Sequence, residues 1–218
     1  MKLLHITASP RNDRSNTLRV SEALLDTLVD TVPAITVDTI DLFLADLPAV
    51  AGDNIEAKYS LMVGQPIDKH QVESWHQIER EIAHFLSADA YVISAPMWNF
   101  SIPYALKYYI DCIVQPGYLF RYDETGTPVP LVLGKKMIVV SSSGSDYSDG
   151  SPLHDYDFHE PYLRAIFGFV GIYDITFVTA PAMDVSAAFR QAGIEAAIAQ
   201  AAELGRDESW LRVGAVPV

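Results

Sequence analysis

One cysteine in 218 residues, Cys112, leaves no partner for an internal disulfide and no set of thiolates for a metal cluster. It falls in a helical run after Pro103, where a small core residue is its ordinary role. Long apolar stretches are missing as well: the longest, such as Ile166 to Tyr173, fall far short of a membrane span. Positive charge is scarce, with 15 Lys and Arg against 28 Asp and Glu, a formal net charge of −13. Such a surface repels nucleic acid and anionic membranes, so neither is expected as a partner. No G-x-G-x-x-G follows the first apolar run, and no G-x-S-x-G elbow occurs, so neither a dinucleotide fingerprint nor a serine-nucleophile turn is present. Internal repeats, low-complexity tracts and linkers are absent too.

What is present reads as one globular domain over residues 1–218. Half of the residues are hydrophobic and 20% are charged, which removes disorder as a default. The start, Met1 to Ala8, has a superficial likeness to a leader. Its apolar part is short, is broken by His5 and runs on to Arg11 and Arg14 rather than to a cleavage site. It is better taken as a first strand, and a cytoplasmic protein is expected.

Strand-type and helix-type segments alternate along the chain. Strands are expected at 2–7, 35–42, 90–94, 136–141 and 172–179. Helices are expected at 17–31, from Lys69 through Phe85, at 103–114, at 160–169 and at 185–204. In the first helix Leu18, Ser21, Leu24, Leu25, Leu28 and Val29 recur at three- and four-residue steps; in the next, Val72, Trp75, Ile78, Ile82 and Phe85 share a face. Pro103 suits a first-turn position. Residues 43–66 have no strong period and suggest short helical pieces or a lid. Residues 117–133 suggest a hairpin, with Phe120 and Tyr122 alternating with Arg121 and Asp123 before a Glu124-Thr125-Gly126 turn. The fold class is therefore α/β: a flavodoxin-like three-layer sandwich with a five-stranded parallel sheet in the order 2-1-3-4-5 and helices on both faces.

In that topology the loops after strands one, three and four open at one edge. The first, Ser9 to Thr17, combines hydroxyls with the free amides of a helix N-terminus and with Arg11 and Arg14, an arrangement suited to an anion. Ser15 or Asn16 equally serves as a simple helix cap. The second, Ala95-Pro96-Met97-Trp98-Asn99-Phe100-Ser101-Ile102-Pro103, is bracketed by prolines and carries aromatics rather than glycines, which suits a flat aromatic ligand; a hydrophobic plug over the sheet edge is its other reading. In the third, Ser141 to Tyr147, small residues let a backbone approach a ligand closely. Together the three match the phosphate, plane and edge of flavin mononucleotide.

These segments, with Leu106 to Asp111, Gly117 to Tyr122, Gly134 to Lys136 and Pro161-Tyr162-Leu163-Arg164-Ala165-Ile166-Phe167-Gly168-Phe169-Val170-Gly171-Ile172, resemble the FMN-dependent NADH azoreductases, also called NADH:quinone oxidoreductases. The resemblance covers nearly the whole chain in the same order. It implies an FMN site formed by Ser9, Arg11, Ser15, Asn16 and Thr17 around the phosphate. Pro96, Met97, Trp98, Asn99 and Phe100 would lie along the ring, with Ser142, Ser143, Gly144, Ser145 and Tyr147 at its pyrimidine side. Phe120 and Tyr147 would help form the substrate pocket. It implies NADH or NADPH as donor and quinones and azo compounds as acceptors, served by hydride transfer through FMN in a two-electron, ping-pong scheme without a protein nucleophile. It also implies a homodimer in which the 117–133 excursion takes part. Members of the family usually have tyrosine at Trp98, arginine at Ser143 and a second glycine at Ser145; these departures bear on substrate stacking, flavin potential and pocket shape. A flavodoxin-type electron carrier and a flavin-free binding module are the alternatives. The segment His154 to Glu160 holds ligand-type residues but no i,i+4 histidine pair, and no metal is expected.

Overall fold

Five short strands line up side by side to form the centre of the molecule, the inner ones apolar and buried and the edge strand Thr36–Asp41 polar and partly exposed. The computed structural model describes residues 1–213, apart from the side chains of His70, Leu211 and Arg212. Its strands are β1 (Lys2–Thr7), β2 (Thr36–Asp41), β3 (Ala90–Ser94), β4 (Phe120–Tyr122), β5 (Pro128–Pro130), β6 (Lys136–Ser142) and β7 (Asp174–Ala180). Its helices are α1 (Asn16–Thr31), α2 (Asp53–Met62), α3 (Lys69–Leu86), α4 (Tyr104–Ile113), α5 (Glu160–Val170) and α6 (Ala187–Gly205). The main sheet is parallel throughout, in the order β2-β1-β3-β6-β7; counted without the β4–β5 hairpin, this is 2-1-3-4-5.

Alternation along the central strands sorts side chains into two cores. Leu3, Val92, Ile138 and Val140 face α1 and α6, while Leu4, Ile6, Tyr91, Ile93, Met137 and Val139 face α3, α4 and α5. In register, Thr7 stands opposite Ser94, and Ser94 opposite Val140, so β1, β3 and β6 discharge their following loops at one edge.

The helices differ from the sequence expectation in detail. The stripe of α1 runs through Val20, Leu24 and Leu28 at i,i+4, which turns Val29 to solvent with 54% exposure. Leu18 and Leu25 are half-buried flanks. In α3 Trp75, Ile78, Ile82 and Phe85 are buried as expected, and Val72 is half-buried. Pro103 stands one residue ahead of the first turn of α4, with φ −59° and ψ 145°. The connection 43–66 contains one helix, α2. The sequence reading of 117–133 holds: β4 and β5 pair antiparallel, and Asp123 Oδ1 accepts from the amides of Thr125 and Thr127 at 2.8 and 3.0 Å to close the turn. Cys112 is buried in the α4 core, and burial pushes its thiol pKa up to about 12. Among the described residues no helix is long and apolar enough to cross a membrane.

Candidate functional site

The loop after β1 turns through a short 3-10 segment, Asn12–Arg14, and enters α1 at Ser15. Ser15 caps the helix, its Oγ accepting the Leu18 amide at 3.2 Å, and the same atom lies 2.8 Å from Ser9 Oγ. The serine pair is buried and uses one hydroxyl hydrogen between its members, which leaves the other for a ligand. The amides of Asn16 and Thr17, in the first turn, have no intrahelical carbonyl to bond. Thr17 Oγ1 meets Ser142 Oγ at 2.8 Å, tying the loop after β1 to that after β6. Arg11 is exposed, lines the same pocket and makes no salt bridge among the described residues. Such an arrangement is chemically suited to an anion, with the exposed Arg11 beside it.

The loop after β3 is a tight turn. Trp98 and Ser101 exchange both backbone hydrogen bonds, at 2.8 and 3.0 Å, and the two central residues have positive φ: Asn99 at 48° and Phe100 at 71°. That is the backbone of a type I′ turn, which glycine and asparagine adopt easily and phenylalanine does not. Strain of this kind costs on the order of 1–3 kcal/mol and persists only where the surroundings fix it. Its product is a pair of consecutive amides, Asn99 and Phe100, with no acceptor among the described residues. Trp98 is half-buried between Phe43 and Tyr104, at ring distances of 5.8 and 6.2 Å. The plug reading of this loop therefore holds for one face of Trp98, and the indole still lines the pocket. Phe100 is exposed and packs near Tyr147 and Tyr156, with centroids 6.2 and 5.3 Å away.

The loop after β6 begins with Ser143, whose amide bonds the Ala180 carbonyl at 3.1 Å and whose hydroxyl donates to the Ser145 carbonyl at 2.8 Å. A Cβ at Gly144 would stand 2.6 Å from Asp184 Oδ2, so a side chain there would have to displace that carboxylate. The amides of Gly144 and Ser145 are without acceptors among the described residues.

Ser9, Arg11, Ser15, Asn16, Thr17, Pro96, Met97, Trp98, Ser142, Ser143 and Gly144 thus converge on one pocket of about 190 Å³. That volume is below the range of a whole-ligand site, as expected where part of a ligand lies across an open sheet edge. Asn99, Phe100 and Ser145 are not among its lining residues. Tyr147 lines a neighbouring cleft of about 810 Å³ that shares Met97 and Ser143 with the pocket. Phe120 lines neither cavity; it is buried against Phe169, centroids 4.7 Å apart.

Two pocket residues escaped the sequence reading, Met183 and Asp184. They follow the edge strand β7, whose loop was not counted among the three. The Met183 and Asp184 amides bond the carbonyls of Ser143 and Gly144 at 2.9 and 3.0 Å, folding this loop back over its neighbour. The small residues Ala180, Pro181 and Ala182 were the available signal.

A family model described as a flavodoxin-like fold matches residues 1–204. An FMN-dependent NADH:quinone oxidoreductase of Nitratidesulfovibrio vulgaris (strain DP4) is 41% identical over 176 residues, covering 81% of this chain and 84% of that protein. The chain belongs to the FMN-dependent NADH:quinone oxidoreductase family. A relative of the same description from Desulfotalea psychrophila is 35% identical over 208 residues, covering 94% of this chain and 97% of its own. Among solved structures, an FMN-dependent NADH-azoreductase from Bacillus anthracis in complex with FMN superposes with a TM-score of 0.81 at 28% identity, over 94% of this chain and 99% of that one.

Proposed function

We propose that this family member is an FMN-dependent oxidoreductase that carries electrons from NADH or NADPH to quinones and azo compounds. The observation that carries the proposal is the meeting of three loops at one pocket, with the unpartnered amides of Asn16, Thr17 and Gly144 among its lining residues and those of Asn99, Phe100 and Ser145 next to lining residues in the chain. Their chemistry fits the cofactor. The first pair, with the Ser9–Ser15 hydroxyls and Arg11, would hold the phosphate dianion, whose charge the chain's overall −13 does nothing to balance. The second and third pairs would donate to the polar edge of the ring, where charge develops on reduction. Asp184 fills the space that a side chain at residue 144 would need, which supports a backbone-lined edge there.

When bound, FMN would supply the two-electron redox chemistry between the nicotinamide donor and the acceptor. The protein's part is placement and polarity. The turn at Asn99 and Phe100 is rigid and pre-set, so its amides need no reorganisation as charge builds. Trp98, Phe100 and Tyr147 offer aromatic surface to a flat acceptor beside the pocket.

A homodimer belongs to the same reading. Tyr122, Leu131, Leu133, Phe169 and Tyr173 leave an exposed apolar surface around the β4–β5 hairpin, where Phe120 is seated, and a second copy would cover it. A cytoplasmic location, where nicotinamide cofactors are reduced and Cys112 stays a thiol, completes it. The deciding experiment is the absorption spectrum of the purified, FMN-reconstituted protein, followed by anaerobic titration with NADH and then with a quinone. Bleaching by NADH and recovery on quinone addition is expected; a protein that stays colourless after reconstitution overturns the proposal.

A further inference from the structure

The strained turn at Asn99 and Phe100 is held from outside by the segment that leads into α5. The Phe158 amide donates to the Phe100 carbonyl at 2.9 Å, fixing the far end of the turn. The near end is fixed at Ala95: its amide bonds the Val140 carbonyl at 3.0 Å, and its carbonyl lies 3.1 Å from His159 Nε2. Because Ala95 O can only accept, Nε2 carries the hydrogen. His159 is 2% exposed, and its own segment is braced by Asp157, whose Oδ1 accepts the amides of His159 and Glu160 at 2.8 and 3.1 Å. Phe158 and His159 are adjacent, so seating the imidazole against Ala95 also sets where the Phe158 amide meets Phe100.

We propose that His159 is a positioning residue for the cofactor loop: its Nε2–H bond to Ala95 seats the 157–159 segment, which locks Asn99 and Phe100 in the positive-φ turn that presents their amides. The inference rests on the flavin reading above. Burial keeps the imidazole neutral, with its pKa lowered to about 4 despite the nearby Asp157, so the donor is constant across the working pH range. Without the seat, the turn can relieve its strain by leaving the positive-φ region, and the two amides turn away from a common acceptor.

The test is FMN binding by fluorescence quenching with the 218-residue chain, beside hydrogen exchange of the 97–101 amides, in the native protein and in H159L, H159Q and H159N. Glutamine keeps an N–H at about the reach of Nε2; leucine has none, and asparagine is too short. The expected result is FMN affinity weakened by about tenfold in H159L and H159N, the worth of one buried hydrogen bond, with faster exchange confined to 97–101. H159Q should stay within about threefold of the native protein in affinity and match it in exchange. Should H159L fail to fold, the contrast of H159Q with H159N carries the same reading. Equal affinity and exchange in all variants overturns the positioning role while leaving the flavin reading intact, and an equal loss in H159Q assigns the effect to packing instead of the donor. No FMN binding by the native chain overturns both.

Discussion

Two buried histidines should make this fold acid-sensitive in a specific pH window. His5, in the central strand β1, is 6% exposed with Nε2 2.8 Å from Ser94 Oγ; His159 is 2% exposed against the Ala95 carbonyl. Burial lowers both pKa values from 6.5 to about 4, with no carboxylate bonded to either ring. The unfolded chain therefore takes up these two protons first as pH falls, and stability present above pH 6.5 is lost progressively down to about pH 4. At about pH 5, one and a half units below the unfolded value at about 1.4 kcal/mol per unit, each histidine should cost about 2 kcal/mol. Both together should cost about 4 kcal/mol, a large part of a domain's usual 5–15 kcal/mol. Urea unfolding at about pH 7.5 and pH 5, with the FMN concentration fixed, measures the loss. Exposed carboxylates and the cofactor phosphate contribute their own slopes, so the variants carry the reading. His5→Gln and His159→Gln should each reduce the loss between the two pH values by about 2 kcal/mol, and the double variant by about 4 kcal/mol. An unchanged pH slope in the double variant would show that the native state accommodates both imidazolium ions, and the burial argument would fail.

Ser15→Ala removes both the α1 cap and the partner of Ser9, and should cost about 1 kcal/mol in urea unfolding of the FMN-free protein. The same change should weaken FMN binding by at least about tenfold in fluorescence titration. Gly171 ends α5 at φ 109°, where a Cβ would lie 2.9 Å from Leu133 Cδ2 and 3.0 Å from the Val132 carbonyl; Gly171→Ala should therefore destabilise by about 2 kcal/mol or more, read as a lowered urea midpoint. Gly144→Ala should weaken FMN binding, because the new methyl must displace the Asp184 carboxylate at the pocket rim, and Asp184→Ala in the same chain should restore most of the loss in the same titration. No restoration would mean that Gly144 matters for its backbone approach alone.

The sheet was legible because its central strands are apolar runs separated by helix-type segments, and the three loops because the order of a parallel sheet dictates which turns share an edge. Ala90–Ser94 and Lys69–Leu86 illustrate this, the first buried at every position and the second periodic. Helix α2 was read only as a short piece without bounds, since its helix is stabilised by a Gly52 entry and by packing on α3 and not by a stripe of its own. Periodicity placed Val29 in the core because a leucine-rich helix offers several stripes, and the choice among them is made by α6 and the sheet. At the site, sequence order indicated which loops share an edge but not the positive φ of Phe100, a conformation no local preference of phenylalanine suggests. Asp184 and the clamp at Phe158 and His159 come from hydrogen bonds between residues distant along the chain. Nothing local announces them.

The burial of Cys112 has a chemical consequence for an enzyme of this proposed substrate class. Quinones are electrophiles that add to thiolates, and repeated turnover in their presence exposes a protein to arylation by its own acceptors. A sulfur enclosed in the α4 core and held protonated, with its pKa pushed up to about 12, offers almost no thiolate and no approach path. The lone reactive atom of that kind in the chain is thereby kept out of reach of the compounds the enzyme would handle.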